Sequence, residues 1–331
     1  MKEILSNLFD HKTLSREVAK EVLTNIATGK YNDPEIAAFV SVYLMRAITV
    51  EELSGFRDAL LELCIPVDLG DFNTVDVCGT GGDGKNTFNI STLTAFVVAG
   101  AGGKVSKHGN YSVSSNCGSS NVMEYYGYRF SNDNDKLRQE IDKAGICFLH
   151  APLFNPAMKN VAPVRKSLRM KTFFNMLGPM VNPSRPANQL IGVFSLEVAR
   201  LYNYIYQDSG IRFTILHALD GYDEISLTGP FKAFTEASER TISPADIGLM
   251  RLDAGQIYGG ETVEEAGNIF MSILEGKGRK AQQEVVIANA AFALQTLDGG
   301  LSMENALGEA RESLESGKAL RAFKKLIELQ S

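Results

Sequence analysis

The sequence predicts an α/β protein in two parts: a small all-helical N-terminal domain, and a larger α/β domain on a mostly parallel central sheet. Three observations lead there. Residues 1–65 carry helix start and stop signals with apolar residues at helical spacing. At Pro66 the composition changes, and short apolar, β-branched runs then alternate with helical segments, the pattern of a parallel sheet covered on both faces. Glycine-rich and polar clusters fall just after those runs, where the carboxyl ends of the strands would gather them on one rim.

Ser15 is placed to cap a helix in which Val18, Val22 and Ile26 recur every four residues, and Gly29 to end it. Asp33-Pro34-Glu35 is a second start, with Asp33 at the cap and Pro34 in the first turn. Thr49-Val50-Glu51-Glu52 fits a capping box. This segment holds no obvious chemical residues and reads as a packing or dimerisation module. Beyond Pro66, "NTVDVCG", "GGKVSKHG", "GICFLH" and "RFTILHAL" read as strands, and a helix is expected from about Ser91 to Gly100. From about Gly259 the chain reads as amphipathic helices with two glycine breaks.

The length of 331 residues suits one large domain or two modest ones, and a 44% apolar content permits a core of normal size. A formal charge of −6 disfavours a nucleic-acid partner. Cys64, Cys78, Cys117 and Cys147 form no CxxC pair, which fits a reducing compartment without structural zinc. MKEILSNLFDHKTLS mixes polar and apolar residues and reads as no signal peptide. The longest apolar run, Thr94 to Gly102, is too short to span a bilayer. The expectation is a cytoplasmic protein with neither nucleic acid nor membrane as a partner.

Gly79-Thr80-Gly81-Gly82-Asp83-Gly84 has the spacing of a dinucleotide-binding loop. However, Lys85 to Asn89 separate it from the helix, and lysines stand where the ribose-binding acid belongs. Gly79 to Lys85 also opens like a nucleotide P-loop, but Asn86 replaces the hydroxyl that binds magnesium. The glycines alone leave open a phosphate site or a plain tight turn. Asn89, Ser91 and Thr92 then cluster at the helix start, where free N–H groups favour an anion; a simple N-cap would need only one of them. Lys107 can supply a point charge to a phosphate, while His108 and Asn110 can hydrogen-bond a more neutral ligand or serve structure only. Ser114-Ser115-Asn116-Cys117-Gly118-Ser119-Ser120 is another hydroxyl-rich turn, open to the reading of a solvated loop.

GTGGD (79–83), NIST (89–92) and KHGN (107–110), in this order and spacing, resemble the anthranilate phosphoribosyltransferase family. So do "PAMKNVAPVRKSL", "FFNMLGPMVNP", "LDGYDEISLTGP", "IANAAFALQ" and "SGKALRAFKKLIE", so the resemblance spans nearly the whole chain. It implies transfer of the phosphoribosyl group of phosphoribosyl pyrophosphate (PRPP) to the amine of anthranilate, a step of tryptophan synthesis. It implies Gly79, Gly82, Asp83, Thr87, Asn89, Ser91, Thr92, Lys107 and Ser119 around PRPP, and Gly79, His108, Asn110 and Arg165 around anthranilate. Ser91, Asp223 and Glu224 would hold Mg2+, two ions per site. Without the resemblance, Asp223-Glu224 reads as a solvated loop and Arg165 as a surface charge.

The resemblance further implies a nucleoside phosphorylase/phosphoribosyltransferase-like fold, with substrates in the cleft. Residues 1–69 with about 162–188 would form the small dimerisation domain of a homodimer. Residues 70–161 with about 189–331 would form the PRPP-binding domain. Four positions depart from the family pattern: Tyr111 for Arg, Asn121 for Asp, Asn155 for His and Arg169 for Gly. Two alternatives remain at this point. A pyrimidine nucleoside phosphorylase shares the fold but is longer and lacks NIST. A related phosphoribosyltransferase would act on another aromatic amine or base.

Overall fold

The computed structural model describes residues 1–111 and 117–330. The chain divides into two compact units, one of Met1–Pro66 with Ala151–Pro183, the other of Val67–His150 with Ser184–Ser331. The returning segment of the first unit thus runs from 151 to 183, where the sequence suggested about 162 to 188.

The small unit begins with α1 (Lys2–Phe9), α2 (Arg16–Ala27), α3 (Asp33–Met45) and α4 (Val50–Leu63). Ser15 accepts from the Val18 N–H and caps α2. At α3 the cap lies one residue earlier than Asp33: Asn32 accepts from the Glu35 N–H while the Glu35 carboxylate accepts from the Asn32 N–H. Asn32 can make this reciprocal pair because Glu35 stands at its N3 position, which leaves Asp33 in the first turn.

The expected capping box at α4 carries more than a helix end. Glu52 is fully buried, and its carboxylate accepts from the Thr49 N–H (3.0 Å), the Leu14 N–H (3.0 Å), the Tyr43 hydroxyl (3.3 Å) and both terminal nitrogens of Arg46 (2.6 and 3.0 Å). One side chain therefore joins the ends of three helices. In the same unit Phe173 stacks on Phe56 at 4.6 Å and meets Phe39 and Tyr43 edge-on, so the returning segment completes the aromatic core of the N-terminal helices.

The second unit starts with β1 (Thr74–Val77), α5 (Ile90–Gly100), β2 (Lys104–Gly109), α6 (Ser119–Tyr125), α7 (Asn134–Ala144) and β3 (Ile146–His150). The chain then makes α8 (Ala151–Phe154), α9 (Ala162–Leu168) and α10 (Phe174–Leu177) of the small unit. It returns as β4 (Asn188–Gly192), α11 (Leu196–Gln207), β5 (Arg212–Ala218), β6 (Phe231–Thr235) and β7 (Glu239–Ile242). Four helices close the chain: α12 (Val263–Leu274), α13 (Lys280–Leu297), α14 (Met303–Glu315) and α15 (Lys318–Glu328).

The sheet order is β3-β2-β1-β4-β5-β6-β7, parallel from β3 to β5 and antiparallel from β5 to β7. β1 to β3 are buried along nearly their whole length, as strands covered on both faces must be. The C-terminal helices meet at three glycine-bearing junctions rather than two, because Gly317, at φ 75°, also separates α14 from α15. α13 is buried on nearly every face and packs on α5 and α14.

Burial pushes the Glu52 carboxyl up, but the Arg46 guanidinium and the Thr49 and Leu14 N–H groups outweigh it and hold it below its usual range. A lowered carboxyl contributes stability that is complete above its unfolded pKa and is lost as pH falls through the folded value. Glu52→Gln is expected to cost about 3 kcal/mol at pH 7 by urea denaturation, since it leaves Arg46 without its charge partner. The gap to wild type should shrink as pH is lowered through the acid range. A loss under about 1 kcal/mol, or one independent of pH, would remove Glu52 from this role.

Candidate active site

The loop after β1 needs its glycines for their backbone: Gly81, Gly82 and Gly84 have φ of 61°, 73° and 75°, a region side chains disfavour. Its N–H groups point at acids and carbonyls of the protein itself. Gly81 N–H donates to Asp223 Oδ2 (2.8 Å), Thr80 N–H to the Gly192 carbonyl (2.8 Å), and Lys85 N–H to Asp83 Oδ1 (2.9 Å). Gly79 lies so close to Asp223 that a Cβ there would sit 2.8 Å from Oδ2.

The start of α5 holds a second acid. Ser91 N–H donates to Glu224 Oε1 at 2.9 Å, so a carboxylate already occupies the positive end of the helix. Asn89 stands at the N-cap, yet its side chain donates to the Cys117 carbonyl (3.0 Å) instead of capping. Thr92 is buried, and its Oγ1 has no partner among the described residues. Lys107 is buried at the end of β2 and reaches the Val77 carbonyl (2.6 Å) and Ser91 Oγ (3.3 Å). The segments after β1, β2 and β5 therefore do meet on one rim.

Burial, then the charge of Asp83, pushes the Asp223 carboxyl above its usual range. Burial, then the charges of Asp223 and Asp83, pushes Glu224 up as well, with Lys107 and the Ser91 N–H opposing. Among the described residues no group of three or more His, Cys, Asp or Glu is placed to hold a metal by itself. Two adjacent carboxylates do suit Mg2+, which completes its octahedral shell with water and substrate phosphate oxygens. The pair and Ser91 line a cavity of about 20 Å³.

Other expected residues fall nearby or apart. Ser119 opens α6, and its hydroxyl donates to the Asn110 carbonyl at 3.2 Å. The Asn110 side chain accepts from the Tyr111 N–H (2.8 Å), and the His108 N–H donates to buried Asp76 (3.1 Å). Thr87 is instead bridged to Tyr258 and lines a different cavity. Arg165 belongs to the small unit, half-buried on α9 with its guanidinium 5.5 Å from the Phe174 ring. Ser114, Ser115 and Asn116 lie outside the described residues.

Three of the four departures have a local setting that accommodates them. Asn121 Oδ1 accepts from the Gly118 N–H at 3.0 Å, which needs no charge. Arg169 ends α9 in the left-handed region, φ 50°, where glycine is free of strain. Tyr111 donates its hydroxyl to Glu124 at 2.7 Å. Asn155 is buried with its Oδ1 unpartnered among the described residues, and nothing in the structure explains that.

Three residues of the site escaped the sequence reading. Asn289 on α13 accepts from the Ile225 N–H (3.1 Å) and donates to its carbonyl (2.8 Å), fixing the backbone beside Asp223-Glu224. Gly192 ends β4, where a Cβ would lie 1.7 Å from the Asp223 carbonyl oxygen. Thr94 lines the small cavity with a buried hydroxyl that lacks a partner among the described residues. Only the "NAA" run hinted at the first.

Residues 71–320 match the family model described as "Glycosyl transferase family, a/b domain", and residues 2–64 the one described as "Glycosyl transferase family, helical bundle domain". Fold and site thus define a class, the glycosyl transferases built of a helical bundle and an α/β domain. Within it, the anthranilate phosphoribosyltransferase of Flavobacterium johnsoniae is 61% identical over 329 residues, 99% of each chain. Among solved structures, the anthranilate phosphoribosyltransferase of Thermus thermophilus matches with a TM-score of 0.92 at 29% identity, over 98% of each chain. That of Saccharomyces cerevisiae, in complex with PRPP and Mg, matches with 0.91 at 25% identity, over 98% of this chain and 96% of that one. The chain belongs to the anthranilate phosphoribosyltransferase family.

Gly192→Ala is expected to lower stability by more than about 4 kcal/mol, since a backbone carbonyl would have to give way. Gly308→Ala, in the interior of α14 with open space around it, should raise stability by roughly 0.5–1 kcal/mol. Urea denaturation and soluble yield read both. A Gly192→Ala protein within 1 kcal/mol of wild type would refute the close approach.

Proposed function

We propose that the protein transfers the phosphoribosyl group of PRPP to anthranilate, giving N-(5-phosphoribosyl)anthranilate and pyrophosphate, the second step from chorismate to tryptophan. The observation that carries the reading is the meeting of the β1 loop, the α5 start and the Asp223-Glu224 pair at one rim. The anthranilate nitrogen attacks the anomeric carbon, the bond to pyrophosphate breaks, and the amine loses a proton. No side chain need act as a nucleophile, so rate comes from positioning and from neutralising charge.

Around PRPP we place Gly79, Gly82, Asp83, Thr87, Asn89, Ser91, Thr92, Lys107 and Ser119, with the unpartnered Thr92 hydroxyl and the Lys107 ammonium as donors to phosphate. Ser91, Asp223 and Glu224 would hold Mg2+, two ions per site. When bound, the metal offsets the charge of the departing pyrophosphate. Gly79, His108, Asn110 and Arg165 would receive anthranilate. Arg165 supports this: burial holds its guanidinium below its ordinary pKa, and it makes no ion pair among the described residues. A carboxylate would supply the missing charge, and a planar fork matches its two oxygens.

No helix among the described residues is long and apolar enough to cross a membrane. We place the enzyme in the cytoplasm as a homodimer through its small helical unit. Light scattering at micromolar concentration should give twice the chain mass; a monomer contradicts the dimer.

Loss of anthranilate fluorescence with PRPP and magnesium tests the reaction; unchanged fluorescence, with PRPP consumed only when another aromatic amine or base is supplied, overturns the choice of substrate. Asp223→Asn with Glu224→Gln should keep the fold and cut turnover on the order of a hundredfold or more. Normal magnesium dependence in that double variant removes both residues from the metal site. Arg165→Lys should weaken anthranilate use about tenfold, the order expected for one charged hydrogen bond. PRPP affinity should stay within about twofold, because Arg165 is assigned to the other substrate alone. Equal losses for both substrates would make Arg165 structural.

A further inference from the structure

A second cavity lies apart from the one beside Asp223 and Glu224. It holds about 760 Å³, and the two share no lining residue. Its size lies in the range of small-molecule sites. Three cations line it, Lys85, Lys277 and Arg279, and no acid does. In a chain of net charge −6 that is a local reversal of sign.

The cations are also underused. Among the described residues Lys85 makes no ion pair; its ammonium lies 4.8 Å from the centre of the Tyr222 ring. Arg279 makes none either, and Lys277 pairs only with the exposed Glu275. Arg279 and Gln282 stand at the start of the 18-residue α13, whose dipole adds positive potential there. Gln282 is 5% exposed; its Oε1 accepts from the Arg279 N–H at 3.3 Å, and its Nε2 has no partner among the described residues. A side-chain donor lining the cavity, beside two cations without ion pairs, suits an acceptor of negative charge. Tyr258, 42% exposed, lines the cavity with Ile257 and Ile269, an aromatic and aliphatic surface suited to a planar group.

We propose that this cavity is a second anion site, which adjoins the residues assigned to PRPP at Thr87 but shares no lining with the Asp223-Glu224 pair, and that it takes an organic phosphate bearing a planar ring, of the size of a nucleoside monophosphate. The phosphate meets Lys277, Arg279 and Gln282 Nε2 at the start of α13; the ring lies against Tyr258. Lys85 joins the site to the loop before α5, because the neighbouring Asn86 is tied by its carbonyl to Gly259 N–H (2.9 Å) and by its side chain to the Gly260 carbonyl (2.9 Å).

Calorimetry of the full chain with adenosine 5′-monophosphate, and with adenosine as the uncharged control, tests the proposal without turnover, so its outcome does not depend on which reaction the enzyme performs. Binding of the monophosphate is expected, weakened at least tenfold in Lys277→Gln/Arg279→Gln and at least tenfold for adenosine, the order lost with a charged contact. Both side chains are exposed, so the double variant should fold and turn over as wild type does when no nucleotide is present. Absence of binding overturns the proposal. Equal affinity in wild type and variant puts the nucleotide elsewhere and also overturns it, and equal binding of adenosine refutes the phosphate assignment.

Discussion

Asp223 and Glu224 make no salt bridge among the described residues, and both are held by backbone N–H groups: Gly81 of the loop for one, Ser91 of α5 for the other. Most of the large unit's design follows from placing these two acids. The loop must turn through left-handed conformations to aim Gly81 N–H at Asp223, which calls for glycine. β4 must end in a residue without a side chain to admit the Asp223 carbonyl. α13 must carry Asn289 to hold both backbone groups of Ile225. The acids thus sit on N–H groups that phosphates would also seek.

The position follows from topology. Strands β1, β2 and β3 run outward in one direction, and β4 then returns to the other side of β1. At such a reversal the loops after the two adjacent strands diverge and leave a crevice at their carboxyl ends. Gly79 follows β1, Gly192 closes β4, and Asp223 arrives from beyond β5 to fill the gap. The antiparallel β6 and β7 extend the far edge and contribute none of the residues lining the small cavity.

What the sequence revealed was local. Ser15 and the Thr49–Glu52 box act within four residues of themselves, and strands such as "GICFLH" announce burial by composition. β4, in "NQLIG", and the half-polar β6 and β7 carry no such announcement, because their pairing is set by distant partners. The clusters proposed to bind phosphate stand out because glycine and hydroxyl residues gather before one helix. The acids needed the family resemblance to be singled out: by itself an Asp-Glu pair looks the same in a solvated turn, and only tertiary packing puts Ser91 against it. Asn289 and Gly192 escaped for the same reason, their partners being far away in the chain. Lys277 and Arg279 likewise look like surface charges until folding brings Lys85 to the same cavity.

The interleaving of the two units bears on how the chain is made. β1 pairs with β4, Val75 opposite Asn188, and between these strands the chain visits the small unit. The N-terminal helices in turn wait for Phe173 to complete their aromatic core. On the ribosome neither unit can close until more than half the chain has emerged, several seconds or more at roughly 5–20 residues per second. Through that interval β1 and β2 present unpaired or half-paired apolar edges to the surrounding solution. Ordered synthesis, chaperone contact and low temperature should therefore govern the yield of this protein more than its final stability does.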